Sequence, residues 1–233
     1  MTERATRALA AICGITGVLM LSAHFLIPGN VPPDSAGLAR IATFARGHRD
    51  VLLISAWLQV TGAILYVVFI LAIVHLAGAG RRFAGRIVGL AAAILVGLTL
   101  LDSAMIISAV QSAAHGQNET LRVSFDLVVG PGNDAIGRSF LIAPAILLPL
   151  GFVILQTRLL PRSYGWLAIG FDGASQALGL IGLFSKVAFA DVNPAVLALE
   201  NLWLITVAVT LLIHRRSAEP RSAIARRRVE PAT

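Results

Sequence analysis

Three carboxyl side chains interrupt stretches of sequence that are otherwise apolar: Asp102, Asp172 and Glu200. Three amides accompany them, Gln59, Gln176 and Asn201. An ionisable group at membrane depth is costly, and by default it marks a place where a ligand, an ion or a proton is handled. A carboxyl there can hold a proton, counter a cation or accept hydrogen bonds from a polar headgroup, and an amide can orient whatever binds. The competing role for all six is interhelical hydrogen bonding, which contributes about 0.6 kcal/mol per bond on average. These six residues form the candidate binding site.

Other chemistry finds little support in the residue types. There is no HExxH, no CxxC and no phosphate loop with its Lys. Gly173-Ala174-Ser175-Gln176 is similar to the Gly-x-Ser of intramembrane serine proteases, but those need a His within reach of the Ser. His214 stands at the edge of its apolar run, far from the depth of Ser175. A haem or metal between His75 and His214 is geometrically conceivable, yet no acidic partner follows at ligand spacing. The single cysteine, Cys13, allows no intrachain disulfide and no thiolate cluster. No cofactor, metal site or catalytic set is expected.

The elements that must position these side chains are membrane helices. The chain is 57% hydrophobic and 13% charged, about half the charge of an ordinary soluble domain. Six runs approach or exceed the roughly 20 apolar residues needed to cross a bilayer: Ala8 to Pro28, Val51 to Ala77, Ile87 to Ala113, Ser139 to Thr157, Tyr164 to Ser185 and Val196 to His214. The fold class is therefore all-α, a polytopic bundle over residues 8–214. Residues 1–7 precede it, and a basic tail over 215–233 is expected to be disordered.

The net charge of +7 does not point to nucleic acid. The 18 Arg and one Lys gather at the ends of apolar runs, without the aromatic interleaving that binds single strands. With the N-terminus inside, thirteen fall in inner segments and six in outer loops. The positive-inside rule then places both termini in the cytoplasm. The partners implied are the bilayer, anionic headgroups at the Arg-rich tail, and a small-molecule or lipid ligand. Arg4, Arg7 and Leu21-Ser22-Ala23 also suit a cleaved signal peptide, but the apolar run continues to Pro28, too long for one. The Arg-over-Lys bias with abundant Ala and Gly fits a bacterial chain.

Helical spacing sorts the polar residues into stripes. Ser55, Gln59, Gly62 and Tyr66 share one face of the second run. Asp172, Gln176 and Gly179 share one face of the fifth, beside a small face of Gly170, Gly173, Ala174 and Ala177. Gly85, Gly89, Ala93 and Gly97 repeat every four residues in the third run, a seam suited to close packing. From the outer end of each run, Asp102 lies roughly 16 Å deep, Gln176 about 14 Å, Gln59 about 12 Å, and Glu200 and His24 about 6 Å each. Asp172 lies nearer the inner side. Gln59, Asp102, Gln176, Glu200 and His24 thus suggest a polar pocket open to the outside. Pro144 and Pro149 are expected to kink the fourth helix. Between the first two runs, Pro32-Pro33-Asp34-Ser35 signals a helix start. Leu38, Ile41, Phe44 and Ala45 then suggest a short helix lying on the outer membrane surface. A partly apolar stretch, Leu121 to Val129, follows the third run, and Asp134 and Arg138 are spaced to pair.

Taken together, Gly132-Asn133-Asp134 with Gly137-Arg138, the Pro-containing fourth run, Leu159-Leu160-Pro161-Arg162, Gly165-Trp166-Leu167, and Arg49 with Ser55-Ala56-Trp57-Leu58 resemble bacterial six-helix membrane proteins of unknown function. The resemblance covers about residues 8–214. It implies fold and location, and no activity or catalytic residue. The function expected is binding of a lipid or small molecule in a polar pocket of the bundle, with a proton-coupled or solute transporter and a membrane-embedded enzyme as alternatives.

Overall fold

The computed structural model describes residues 3–26, 32, 36–128, 146–157, 159–184 and 189–213. All elements among them are helical: α1 (Glu3–Leu26), α2 (Leu38–Gly47), α3 (Arg49–Leu76), α4 (Phe83–His115), α5 (Asn118–Val128), α6 (Leu147–Thr157), α7 (Arg162–Phe184) and α8 (Phe189–Ile213). Three helical stretches are long and apolar enough to cross a membrane: Glu3–His24 with 22 residues, Arg49–Leu76 with 28 and Phe83–His115 with 33. The Gly132-Asn133-Asp134 segment, the Asp134–Arg138 pair, Pro144, His214 and the basic tail lie outside the described residues.

Six helices close a ring. α1 packs on α3, α3 on α4, α4 on α6, α6 on α7, α7 on α8, and α8 returns to α1. The main core fills this ring, with Phe69, Ile70, Ile73, Leu150, Ile154, Val207 and Leu211 almost wholly buried. The outward faces are apolar as well. Trp57 and Trp166 are 60% and 65% exposed, and Ile12, Leu90 and Leu202 resemble them. A helix hydrophobic all round suits a lipid surrounding.

Close approach of helices falls elsewhere than the α4 seam suggested. A Cβ on Gly17 would meet the Tyr66 backbone nitrogen at 2.7 Å and the Gly62 carbonyl oxygen at 2.9 Å. The α1–α3 crossing therefore needs glycine on both sides. Gly151 and Gly165 play the same part between α6 and α7. On the expected seam only Gly85 is tight, against the Ala79 carbonyl, while Gly89 and Gly97 face open space. Gly170 and Gly173, on the small face of α7, are open too. Small residues permit close approach; a partner helix must also be present, and at these positions none is among the described residues.

A second core forms beyond one end of the ring. A 33-residue helix is roughly 50 Å long, and the hydrocarbon layer is about 30 Å thick, so α4 projects. α2 and α5 pack on its projecting C-terminal end. Ile41, Phe44 and Ala45 of α2 are buried with Leu121 and Phe125 of α5 and with Ile106, Ala109 and Val110 of α4. The rings of Phe44 and Phe125 meet edge to face at 6.2 Å. Arg122 donates to the Ala36 carbonyl at 3.0 Å and to Asp126 at 2.7 Å, tying α5 to the segment before α2. The apolar face of α2, expected to rest on lipid, is covered by α4 and α5. The stretch read as a partly apolar loop is the amphipathic helix α5.

Candidate functional site

α3 is the spine of the polar interior. Ser55, Gln59, Gly62 and Tyr66 lie on its buried face, as their spacing implies. Each meets a different neighbour. At the cap end, His24 of α1 sets its Nδ1 2.7 Å from the Ser55 hydroxyl and 3.2 Å from the Ser55 carbonyl oxygen. One turn along, Gln59 donates through Nε2 to Oδ2 of Asp102 on α4. Ser103 donates to Gln59 Oε1 at 3.1 Å or to the Ala56 carbonyl at 3.2 Å. Gln59 is therefore held at both ends of its amide. Two turns further, Tyr66 is buried, and Asp172 of α7 and Glu200 of α8 lie near enough for their charges to act on it. From Ser55 to Tyr66 the stripe runs roughly 16 Å along the helix axis.

The three acids differ in what satisfies them. Asp102 is 6% exposed, and its Oδ1 is buried with no hydrogen-bond partner among the described residues. An unpaired buried acceptor costs about 1–3 kcal/mol, so this oxygen is poised to accept a further donor. Asp172, also 6% exposed, meets the backbone of Leu147 and Leu148. Those are the first two residues of α6, whose amides have no partner within their own helix. Pro149 has no N–H, and the Leu150 amide bonds back to Ile146. The start of α6 is thereby satisfied from a neighbouring helix, and a carboxylate there complements the positive end of the helix dipole. Glu200 is half-buried and takes a 2.6 Å hydrogen bond from Ser175 of α7. It lies close enough to Asp172 for their charges to interact. No Lys or Arg forms an ion pair with any of the three among the described residues.

The six expected site residues fall into three settings. Gln59 and Asp102 form one pair, and Asp172 and Glu200, within reach of each other's charge, hold the Leu147–Leu148 backbone and Ser175 respectively. Asn201 turns to α1, where its Nδ2 donates to Ser22 at 3.2 Å. Gln176 stands half-buried one turn beyond Asp172. α8 begins at Phe189 rather than at Val196, so Glu200 lies near the middle of its helix. The hydroxyls of Ser22, Ser103 and Ser175 complete these contacts; Ser175 stood out in the sequence only for its Gly-x-Ser setting, and Ser22 and Ser103 had no site role. Ser103 adjoins Asp102, and Ser175 lies one turn from Asp172, so adjacency to an acid was the available signal. Among the described residues no three His, Cys, Asp or Glu side chains converge as metal ligands.

No family model, curated protein or solved structure matches this chain. The functional reading rests on the residues and their geometry.

Proposed function

We propose that this chain is a bacterial six-span inner-membrane protein that binds a small cationic or hydrogen-bond-donating ligand at the acidic stripe along α3. The ring helices α1, α3, α4, α7 and α8 are five of the spans, and α6 is the described part of the remaining one. α7 and α8 have 23 and 25 residues, enough to cross the roughly 30 Å hydrocarbon layer. The excess of Arg in the segments at one face supports cytoplasmic termini, with the cap of α2 and α5 outside. The six-helix family that the sequence resembles fits the same architecture.

One observation carries the ligand reading: Asp102 keeps one buried carboxyl oxygen open while Gln59, itself held by Ser103, bonds the other. Asp172 and Glu200 extend the acidic lining from the opposite wall. Such a lining attracts positive charge in a low-dielectric interior. A proton-coupled carrier is the second reading, favoured by titratable groups at successive levels, from His24 through Asp102 to Asp172 and Glu200. The test is thermal unfolding of the purified full chain with a panel of primary, secondary and quaternary amines, beside Asp102→Asn. A cation that raises the unfolding temperature of wild type and leaves Asp102→Asn unmoved supports the reading. A panel without effect, or an equal shift in both proteins, overturns it. For the carrier, flux in liposomes should fall in Asp102→Asn and in Glu200→Gln.

A further inference from the structure

The end of the bundle opposite the cap carries a groove that the acidic stripe does not involve. It lies where the C-terminal end of α3 turns into the start of α4, and its volume is about 590 Å³. Leu71 and Val74 of α3 form an apolar wall, Gly89 of α4 leaves the floor open, and His75, Arg81 and Arg86 stand around the mouth. All three basic side chains are exposed, and none makes a hydrogen bond or ion pair among the described residues. The turn between the helices is fixed. Gly78 adopts φ +63°, and a Cβ at Gly85 would lie 2.1 Å from the Ala79 carbonyl oxygen. Beside the mouth, Phe83 is 80% exposed, as suits an aromatic at headgroup level.

We propose that this groove is a binding site for one anionic phospholipid. The phosphate meets Arg81, Arg86 and His75, and an acyl chain descends along Leu71 and Val74 over Gly89. Charge complementarity fixes the sign of the ligand, because three basic groups surround the mouth with no acid among the lining residues. The apolar wall below them fixes the class, since a free phosphate has no use for it. Basic pockets between membrane helices at the cytoplasmic side hold anionic headgroups in this way, and the proposed orientation puts the groove on that side. The open α4 seam is thereby explained, for Gly89 faces lipid rather than a helix. This site is independent of any ligand at the acidic stripe.

The experiment is native mass spectrometry of the full chain in detergent, titrated with phosphatidylglycerol or phosphatidylcholine. Wild type should retain one phosphatidylglycerol in preference to phosphatidylcholine, and excess glycerol phosphate should not displace it. Each Arg near a lipid surface contributes about 1 kcal/mol, so Arg81→Gln with Arg86→Gln should weaken binding about 30-fold. Gly89→Leu keeps every charge and fills the floor. It meets no other atom within 4 Å of its Cβ, so it should fold as wild type does and still lose the lipid. Equal affinity for the two lipids overturns the proposal, as does Gly89→Leu binding like wild type. Full displacement by glycerol phosphate would show an anion site and not a lipid site.

Discussion

The substitution Gly17→Ala tests how the ring is held closed beside the acidic stripe. The added methyl would stand 2.7 Å from the Tyr66 nitrogen and 2.9 Å from the Gly62 oxygen, where ordinary contact begins at 3.4 Å. Both neighbours are helix backbone and have no rotamer to change. α1 and α3 must therefore part by about 0.5–0.7 Å, which sacrifices part of the dispersion energy along their interface. Overpacking of this kind costs about 1–3 kcal/mol, and replacing Gly by Ala within a helix returns about 1 kcal/mol. The net expectation is a loss of about 0–2 kcal/mol. Gly89→Ala provides the control, since its Cβ meets nothing within 4 Å and only the helix term applies. The two variants should thus differ by about 1–3 kcal/mol, read from reversible unfolding in mixed micelles by circular dichroism. Equal stability of the two would refute the α1–α3 crossing. Because Tyr66 and Ser55 share the displaced face, Gly17→Ala should also weaken any ligand effect at the stripe.

Other outcomes follow from the same contacts. Gln59→Leu removes the donor to Asp102 and should cost about 1–3 kcal/mol; combining it with Asp102→Ala, which removes the acceptor that an Asn would keep, should be less than additive, and strict additivity in that cycle would deny the pair. Gly78→Ala forces a left-handed residue to carry a side chain and should cost about 1–2 kcal/mol, with a lowered unfolding temperature as the readout. Phe125→Ala empties a fully buried site in the cap, a loss of about 3–5 kcal/mol when the whole fold depends on it. Here hydrogen exchange should quicken in α2 and α5 while the ring helices stay protected, and uniform loss of protection would show that the cap and ring unfold as one. Asp172→Ala strips the start of α6 of its acceptor, so exchange at the Leu147 and Leu148 amides should rise before that elsewhere in α6.

How much of this was legible in the sequence differs from residue to residue. The α3 stripe of Ser55, Gln59, Gly62 and Tyr66 could be read directly, because a 3.6-residue period assigns a face without knowledge of the neighbours. What those residues touch could not be read that way. The Gln59–Asp102 pair spans 43 positions, and no local pattern encodes the rotation of α4 against α3. The α4 seam failed for a related reason: spacing shows that Gly89 and Gly97 permit an approach, while the partner's position depends on the whole ring. Gly14 and Gly17 received no such weight, although α1 does press on α3 there. α2 showed its apolar face in sequence, but whether lipid or protein covers such a face depends on α5, which followed some seventy residues later and read as a loop. The start of α8 was placed at Val196 because Asp191, Asn193 and Pro194 lower the hydropathy. Helix geometry tolerates them, and the extension to Phe189 is what brings Glu200 to mid-helix.

The central claim is that the open oxygen of Asp102 belongs to a binding layer for positive charge and not to packing alone. Native mass spectrometry of the full chain taken gently from its own membrane, run beside Asp102→Asn, tests it most directly. The account predicts a defined small cationic ligand on wild type and its loss from Asp102→Asn, with the unfolding temperature of the ligand-free proteins unchanged. A wild-type spectrum free of such a ligand, together with an Asp102→Asn variant that is less stable, would contradict it and make the acidic stripe a set of interhelical hydrogen bonds.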